Sequence, residues 1–198
     1  INDEQRRITG GYPVPELPPP SGRNVAIVGS GPAGIAVAEL LAARGHHCVV
    51  YEGWPEPGGV LVYGIPNFKM RKVIVDEKIA QLEAMGVEFV TNTWIGKDVT
   101  LEQLMHERGF HSVFLGTGAG LGNALKIPGE DDYANIFAAT DYLVRGNLEP
   151  SALPGNLREP LPPARRVVVI GGGDTSMDCV RTARRIGAEE VTCMYRRT

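Results

Sequence analysis

Two stretches of the chain share one signature: a short β-branched run that ends on a glycine cluster and passes straight into an amphipathic stretch. Few folds accept that pattern. VAIV precedes Gly29-Ser30-Gly31-Pro32-Ala33-Gly34, and VVVI precedes Gly171-Gly172-Gly173-Asp174-Thr175-Ser176, so each reads as strand, tight turn and helix. Each helical stretch closes on a glycine, Gly45 or Gly187, 11 residues after the last fingerprint position, and each leads into another apolar run. The chain therefore holds an internal repeat of a β-α-β unit. In the first copy Ile35, Ala38, Leu41 and Ala42 share one helical face. Between the copies, residues 71–85 read as a helix with Val75, Ile79 and Leu82 on one side, stopped by Gly86, and residues 87–90 and 112–116 read as further strands. Strands alternating with helices predict an α/β protein with a parallel, doubly wound sheet.

Composition narrows the reading further. Glycine makes up 25 of 198 residues, about twice its ordinary share of ~7%, and it gathers in clusters, as backbone held close to a ligand requires. With 22% charged residues and a net charge of −3, the chain is neither a disordered polyelectrolyte nor a nucleic-acid coat. Cys48, Cys179 and Cys193 have no paired spacing, so no disulfide framework, zinc site or iron–sulfur cage is built from them alone. A reducing, cytoplasmic setting is expected, with no membrane span and no apolar leader at the N-terminus.

Proline marks the expected divisions. Residues 13–20, PVPELPPP, hold five prolines and read as an extended N-terminal linker over 1–21. A second proline-rich stretch, 150–163, reads as a linker between a first domain over 22–149 and a second over 164–198. The short block is locally basic, with seven arginines against four acids.

Each fingerprint carries its own chemistry. In the first, Gly29 makes the tight turn, Gly31 admits a pyrophosphate to the backbone, Gly34 allows close helix–strand packing, and the helix N-terminus supplies free N–H groups. Glu52, 23 residues after Gly29, stands at the end of the second strand, where a carboxylate accepts hydrogen bonds from both ribose hydroxyls. The second fingerprint has Ser176 in place of the third glycine, and its second strand ends on Tyr195-Arg196-Arg197 instead of an acid. An acid there would repel the extra phosphate of NADP, whereas a guanidinium clasps it bidentately. The second site therefore reads as an NADPH site, with phosphate contacts at Gly173, Asp174 and Thr175 and 2′-phosphate contacts at Arg196 and Arg197. Two dinucleotide sites in one chain point to a flavin fed by a nicotinamide. The glycines of 58–66 and of 116–120 fit backbone wrapped around a bulky ring system, and each also fits a plain turn.

Other chemistry is absent. The four histidines make no metal or triad spacing, no serine or cysteine sits in a nucleophile elbow, and no dithiol is present. Trp54 and Trp94 stand outside any basic–aromatic alternation and read as core or interface residues rather than stacking platforms.

VAIVGSGPAG at 25–34, EPGGVLVYGIPNFKM at 56–70, GVEFVTNTWIGKDVT at 86–100, VFLGTGAG at 113–120, KIPGE at 126–130, and VVVIGGGDTSMDCVRTA at 167–183 with VTCMYRR at 191–197 together resemble the small (beta) subunit of NADPH-dependent glutamate synthase. The resemblance spans about 22–198, and extends to the similar subunits of ferredoxin–NADP transhydrogenases and to the flavin-and-NADPH part of dihydropyrimidine dehydrogenase. It implies a flavoprotein oxidoreductase that takes a hydride from NADPH onto FAD and passes electrons to an iron–sulfur/FMN-containing large subunit, in the service of glutamate biosynthesis. A ferredoxin-like or sulfur-metabolism acceptor is the alternative, and a non-catalytic nucleotide-binding module or fragment is an alternative of another class. The positions that match for FAD are Gly29, Gly31, Pro32, Ala33, Gly34, Glu52, Gly59, Val60, Leu61, Tyr63, Gly64, Val99, Thr117 and Gly118. For NADPH they are Gly172, Gly173, Asp174, Thr175, Ser176, Arg196 and Arg197. No side chain is assigned as a catalytic acid or base.

The resemblance implies two Rossmann-type domains, the second inserted in the first. The family carries cysteine-rich iron–sulfur segments upstream, and this sequence has none. It also continues well past the arginine pair, where only Thr198 remains here. A dinucleotide half-domain needs βαβαβ, so the second domain reads as cut short and the chain as a piece of a longer polypeptide.

Overall fold

A computed structural model describes residues 10–120, 122 and 124–196. Arg197, one of the two expected 2′-phosphate contacts, lies outside the described residues. The chain divides into two compact units, one running to Val62 and resuming over Met70–Gly118, the other made of Tyr63–Lys69 and the chain from Ala119 onward.

The first unit is built on a parallel sheet of four strands, β1 (Asn24–Val28), β2 (His47–Tyr51), β3 (Glu88–Val90) and β4 (Ser112–Leu115), in the order β3-β2-β1-β4. Helix α1 (Pro32–Ala42) connects β1 to β2, and α3 (Val73–Ala84) precedes β3; the single turn α2 (Val60–Tyr63) lies between them. Because side chains alternate along a strand, β1 and β2 each serve two cores. Ala26, Val28, Val49 and Tyr51 pack on one face against Val99, Leu104 and Phe110. Val25, Ile27, Cys48 and Val50 fill the other, which α1 covers with Ile35, Ala38 and Ala42. Val75, Ile79 and Leu82 are the buried apolar residues of α3, as their spacing predicts. Ile27 and Leu82 are fully buried, and each such aliphatic side chain contributes about 1.5–3 kcal/mol.

Period alone gave no account of residues 95–110, which cover the second face. A short bridge pairs Ile95 with Val99, a π-helical turn spans Gln103–Glu107, and Phe110 meets the Tyr51 ring edge-on at 6.2 Å. The proline-rich lead-in forms no helix or strand over 12–21. It lies along this unit, with Pro13 accepting a hydrogen bond from Gln81 at 2.5 Å and Ser21 N–H donating to Gly45 at 2.9 Å.

The second unit repeats the motif with β5 (Arg166–Ile170), α5 (Asp174–Arg185) and β6 (Glu190–Met194), the strands pairing in parallel from Arg166↔Glu190 to Ile170↔Met194. Its core joins Val169 and Cys179 to Leu143 of α4 (Ala139–Asn147). The alternate positions of the sheet, Val168, Ile170 and Met194, are more than half exposed.

The unit boundary falls after Gly118, not in the proline-rich stretch. Packing explains the difference: Leu143 and Val144 of α4 are buried in the second unit, and residues 150–163 are not a free linker. Two short 3-10 turns, Pro150–Ala152 and Gly155–Leu157, bury Leu153 and Leu157, while Arg145 donates to the carbonyls of Glu159 and Pro160 at 2.9 and 3.0 Å. Prolines shape this segment without making it extended.

Residues Tyr63–Lys69 join the second unit through charge and ring contacts. Lys69 Nζ donates to Asp178 Oδ2 at 2.9 Å and lies 2.8 Å from Oδ1, and the Arg181 guanidinium sits 5.5 Å from the Phe68 ring centre. The Asp178 side chain is only 10% exposed, so removing its cation leaves a carboxylate in a poorly solvated place. Lys69→Met is expected to destabilise the protein by about 1–3 kcal/mol, less than a fully buried pair because the lysine is partly solvated; a urea midpoint unchanged from the parent chain would contradict this.

Candidate functional site

The loop after β1 is shaped by contacts that only glycine permits. Gly29 turns at φ +96°, and a side chain there would meet the Gly116 carbonyl oxygen at 2.5 Å; at Gly34 a Cβ would lie 1.9 Å from the Gly29 carbonyl oxygen. The first contact brings the end of β4 against the loop, and the second seats α1 on the strand end. Gly29 N–H donates to Tyr51 at 2.8 Å and Gly116 N–H to Val28 at 2.8 Å, so three strand ends converge here. The chain order reverses between β1 and β4, and such a switch point is where open α/β sheets bind ligands.

Gly31 caps α1 with extended backbone and no capping side chain, Pro32 follows at the first helical position, and nothing lies within 4 Å of where a Gly31 side chain would project. Free N–H groups and the positive end of the helix dipole therefore face open space. Pro32 and Ala33 are exposed and Gly34 is buried. Gly59, at φ +53°, comes so close that a Cβ on it would lie 2.8 Å from the Gly31 Cα. The expected neighbours Gly29, Gly31, Gly34 and Gly59 are thus brought together, with Val60 about half exposed beside them in sequence.

Glu52 is held at the same loop. Its Oε2 accepts the Ser30 N–H at 3.2 Å and the Ser30 hydroxyl, and its Oε1 accepts the Trp54 N–H at 3.0 Å. The Ser30 oxygen in turn accepts the buried Gly58 N–H at 2.8 Å. Ser30 is therefore the hinge pin of the cradle, fully buried and joined to both the acid and the 58–59 turn. It occupies a variable position of the fingerprint, so the glycine pattern carried no signal for it; only a small hydroxyl residue between two glycines hinted at it.

The remaining expected flavin contacts are dispersed. Thr117 and Gly118 are exposed just after β4, beside Gly29 through the Gly116–Thr117 backbone. Val99 is a core residue, 5% exposed, whose N–H donates to the Trp94 carbonyl at 3.4 Å. Leu61 is half-buried and accepts a 2.6 Å hydrogen bond from Lys72, whose ammonium burial pushes below the usual lysine range. Tyr63 and Gly64 group with the second unit.

The second loop repeats the first in its backbone. Gly171 turns at φ +129° and its N–H donates to Met194 at 2.7 Å, the counterpart of Gly29 and Tyr51. Ser176 stands in place of the third glycine, and its Oγ fills the space beside Gly171 where a side chain would project. Gly173 caps α5 without a capping side chain and is open on its free side. Asp174 and Thr175 are exposed in the first turn. Only the backbone N–H of Asp174 suits a phosphate, because its carboxylate complements the helix dipole and repels an anion. The register puts Tyr195 where the first unit has Glu52, and the Tyr195 ring lies against Gly172. Arg196 is exposed.

Both loops fit a dinucleotide on their own geometry, each with an uncapped helix N-terminus facing space that no side chain fills. Thiol chemistry has no such support. Burial pushes the Cys48 and Cys179 thiols up to about 11, and the three cysteines are all free. Among the described residues no group of three or more His, Cys, Asp and Glu could hold a metal ion, and no helix is long and apolar enough to cross a membrane.

Residues 23–198 match the family model of pyridine nucleotide-disulphide oxidoreductases. The chain is 40% identical over 185 residues to the small chain of glutamate synthase (NADPH) from Escherichia coli K12, covering 89% of this chain and 37% of that protein. It is 38% identical over 179 residues to the beta subunit of an NADP(+)-dependent formate dehydrogenase from Moorella thermoacetica, covering 90% and 24%. Among solved structures it resembles FprA, a Mycobacterium tuberculosis oxidoreductase described with a covalently modified NADP+, with a TM-score of 0.70 and 25% identity over 86% of this chain and 43% of that one. The chain thus spans less than half the length of each.

Ser30→Ala would strand the buried Gly58 N–H and release one side of Glu52. A loss of about 1–3 kcal/mol is expected from the orphaned donor, and an unfolding midpoint equal to that of the parent chain would remove Ser30 from its role in the cradle.

Proposed function

The chain belongs to the pyridine nucleotide-disulphide oxidoreductase family, and from that premise we propose that it is the nucleotide-binding part of a flavoprotein that oxidises NADPH. The first cradle takes FAD and the second takes NADPH. In the longer protein the second domain is inserted in the first, and the electrons leave to an iron–sulfur/FMN-containing large subunit, as in glutamate synthase. The relatives whose names describe a small chain and a beta subunit support a larger partner. The location follows that of a reducing, cytoplasmic enzyme.

The observation that carries the reading is the Glu52 carboxylate held at an open fingerprint loop through the Ser30 N–H at 3.2 Å. FAD, when bound, supplies a ring that takes a hydride and releases electrons singly. The protein's own groups do the rest. The N–H groups at the start of α1 hold the pyrophosphate, and Glu52 accepts the ribose hydroxyls. The 58–61 turn and the Thr117–Gly118 backbone offer walls without bulk for the remainder of the cofactor.

At the second loop the N-terminus of α5 holds the NADPH pyrophosphate, and Gly172 and Gly173 admit it to the backbone. Tyr195 in the place of an acid removes the repulsion that a 2′-phosphate would meet, and Arg196 with Arg197 supplies the opposite charge. A charge-assisted hydrogen bond of about 1.5–3 kcal/mol corresponds to roughly a tenfold or greater preference for NADPH over NADH.

The test is a titration of the purified chain with FAD, NADPH and NADH, followed by visible absorbance. The expected result is a bound flavin that bleaches on anaerobic addition of NADPH, with NADPH held about tenfold or more tightly than NADH. A colourless chain that binds none of these nucleotides overturns the proposal. Arg196→Glu is expected to weaken NADPH binding far more than NADH binding, and equal losses would remove the 2′-phosphate assignment.

A further inference from the structure

Beyond Glu52 the chain carries an aromatic surface that the family resemblance does not assign. Glu52 N–H donates to Val90 at 2.9 Å, Thr93 N–H donates to Glu52 at 2.9 Å, and Asn92 N–H donates to Trp54 at 3.2 Å. These bonds carry the chain after β3 alongside residues 52–54 and bring Trp94 next to Gly53. The Trp94 ring lies over Gly53, with three of its ring atoms 2.8, 2.8 and 3.2 Å from where a Cβ would stand. Near-equal distances to fused-ring atoms mean that the face of the indole covers the glycine. Yet Trp94 remains 49% exposed.

The backbone that carries the ring is fixed despite that exposure. Trp94 N–H donates to Asp98 Oδ2 at 2.9 Å, and the Trp94 carbonyl accepts the Lys97 and Asp98 N–H groups at 3.2 and 2.8 Å. A tight turn therefore presets the backbone that carries the indole, so that little ordering remains to be done on binding.

The chemistry of a dinucleotide says what such a surface meets. Its pyrophosphate hangs from the 5′ carbon of the ribose and runs toward the start of α1, while the 2′ and 3′ hydroxyls meet Glu52. The base hangs from the 1′ carbon, at the opposite end of the sugar from the 5′ carbon, and so extends past Glu52, away from the phosphate loop. Gly53 follows Glu52 directly in the chain, and the Trp94 ring lies over it. We infer that the indole of Trp94 stacks on the adenine ring of the dinucleotide held by the first cradle, and that the bare backbone of Gly53 lets the indole lie low enough to do so. This rests on the reading of the first cradle as an FAD site, and it adds a binding residue to it. It also revises the expectation that Trp94 is a core or interface residue: the lack of basic–aromatic alternation excludes a nucleic-acid track, not a single base platform.

The experiment uses ADP, which carries the adenine, ribose and pyrophosphate without the flavin, alongside FAD. In a Trp54→Phe chain the indole emission comes from Trp94 alone, and ADP is expected to quench it at saturation. Trp94→Leu is expected to weaken both ADP and FAD about tenfold or more, and Trp94→Phe to recover most of that loss, as removal and retention of a base–aromatic stack require. Unchanged affinity in Trp94→Leu, or unaltered Trp94 emission when ADP is bound, overturns the inference while leaving the flavin site standing. If Trp94→Leu does not fold, the emission of the Trp54→Phe chain decides. A parent chain that binds neither ADP nor FAD overturns the flavin reading, and this inference with it.

Discussion

The pairing of β1 with β2 is the constraint on which the candidate site depends. Parallel register sets Val28 opposite Tyr51, and the next hydrogen bond, from Gly29 N–H to the Tyr51 carbonyl, ends both strands at one edge. That edge then holds a glycine turn, a helix N-terminus and an acid within reach of one another. A slip of β2 by one residue against β1 would turn Val49 and Tyr51 from one core to the other and move Glu52 off the loop. The apolar packing on both faces of the sheet therefore sets the position of a polar group that takes no part in it.

The second unit shows the same backbone solution with different chemistry. Gly171 and Met194 reproduce the bond between Gly29 and Tyr51, and Gly173 caps α5 as Gly31 caps α1. What changes is the residue that follows the second strand, an acid in one unit and a tyrosine followed by arginine in the other. Backbone geometry thus leaves an uncapped helix N-terminus open beside each loop, and the two units differ at the position that follows the second strand. The side chain between the first two glycines changes with it. Ser30 ties Glu52 to the 58–59 turn in the first loop, whereas Gly172 leaves room for the Tyr195 ring in the second.

Elements with strong periodicity and clear glycine punctuation were legible from sequence: β1, α1, β2, α3, β5, α5 and β6 all stand where pattern and turns put them. The boundary of the second unit was not. Proline density marks where regular structure stops, but Leu153 and Leu157 are isolated apolar residues in an otherwise polar stretch, and only their burial reveals that 150–163 is packed. The segment 95–110 was equally hidden, because its Val99, Leu104 and Phe110 follow no helical or strand period.

Sequence by itself determined the repeated β-α-β unit, the two glycine turns and the opposite charges at the two strand ends. These are local consequences of residue type: a positive φ that glycine tolerates, an apolar alternation that a strand requires, and a carboxylate or guanidinium that carries its charge in any fold. Tertiary structure alone decided that Gly116 closes on Gly29, that Ser30 bridges Glu52 and Gly58, and that Trp94 lies over Gly53. Each of those contacts joins residues separated by an intervening strand or helix, and side-chain distance across a sheet edge is set by packing and register, which no local pattern encodes.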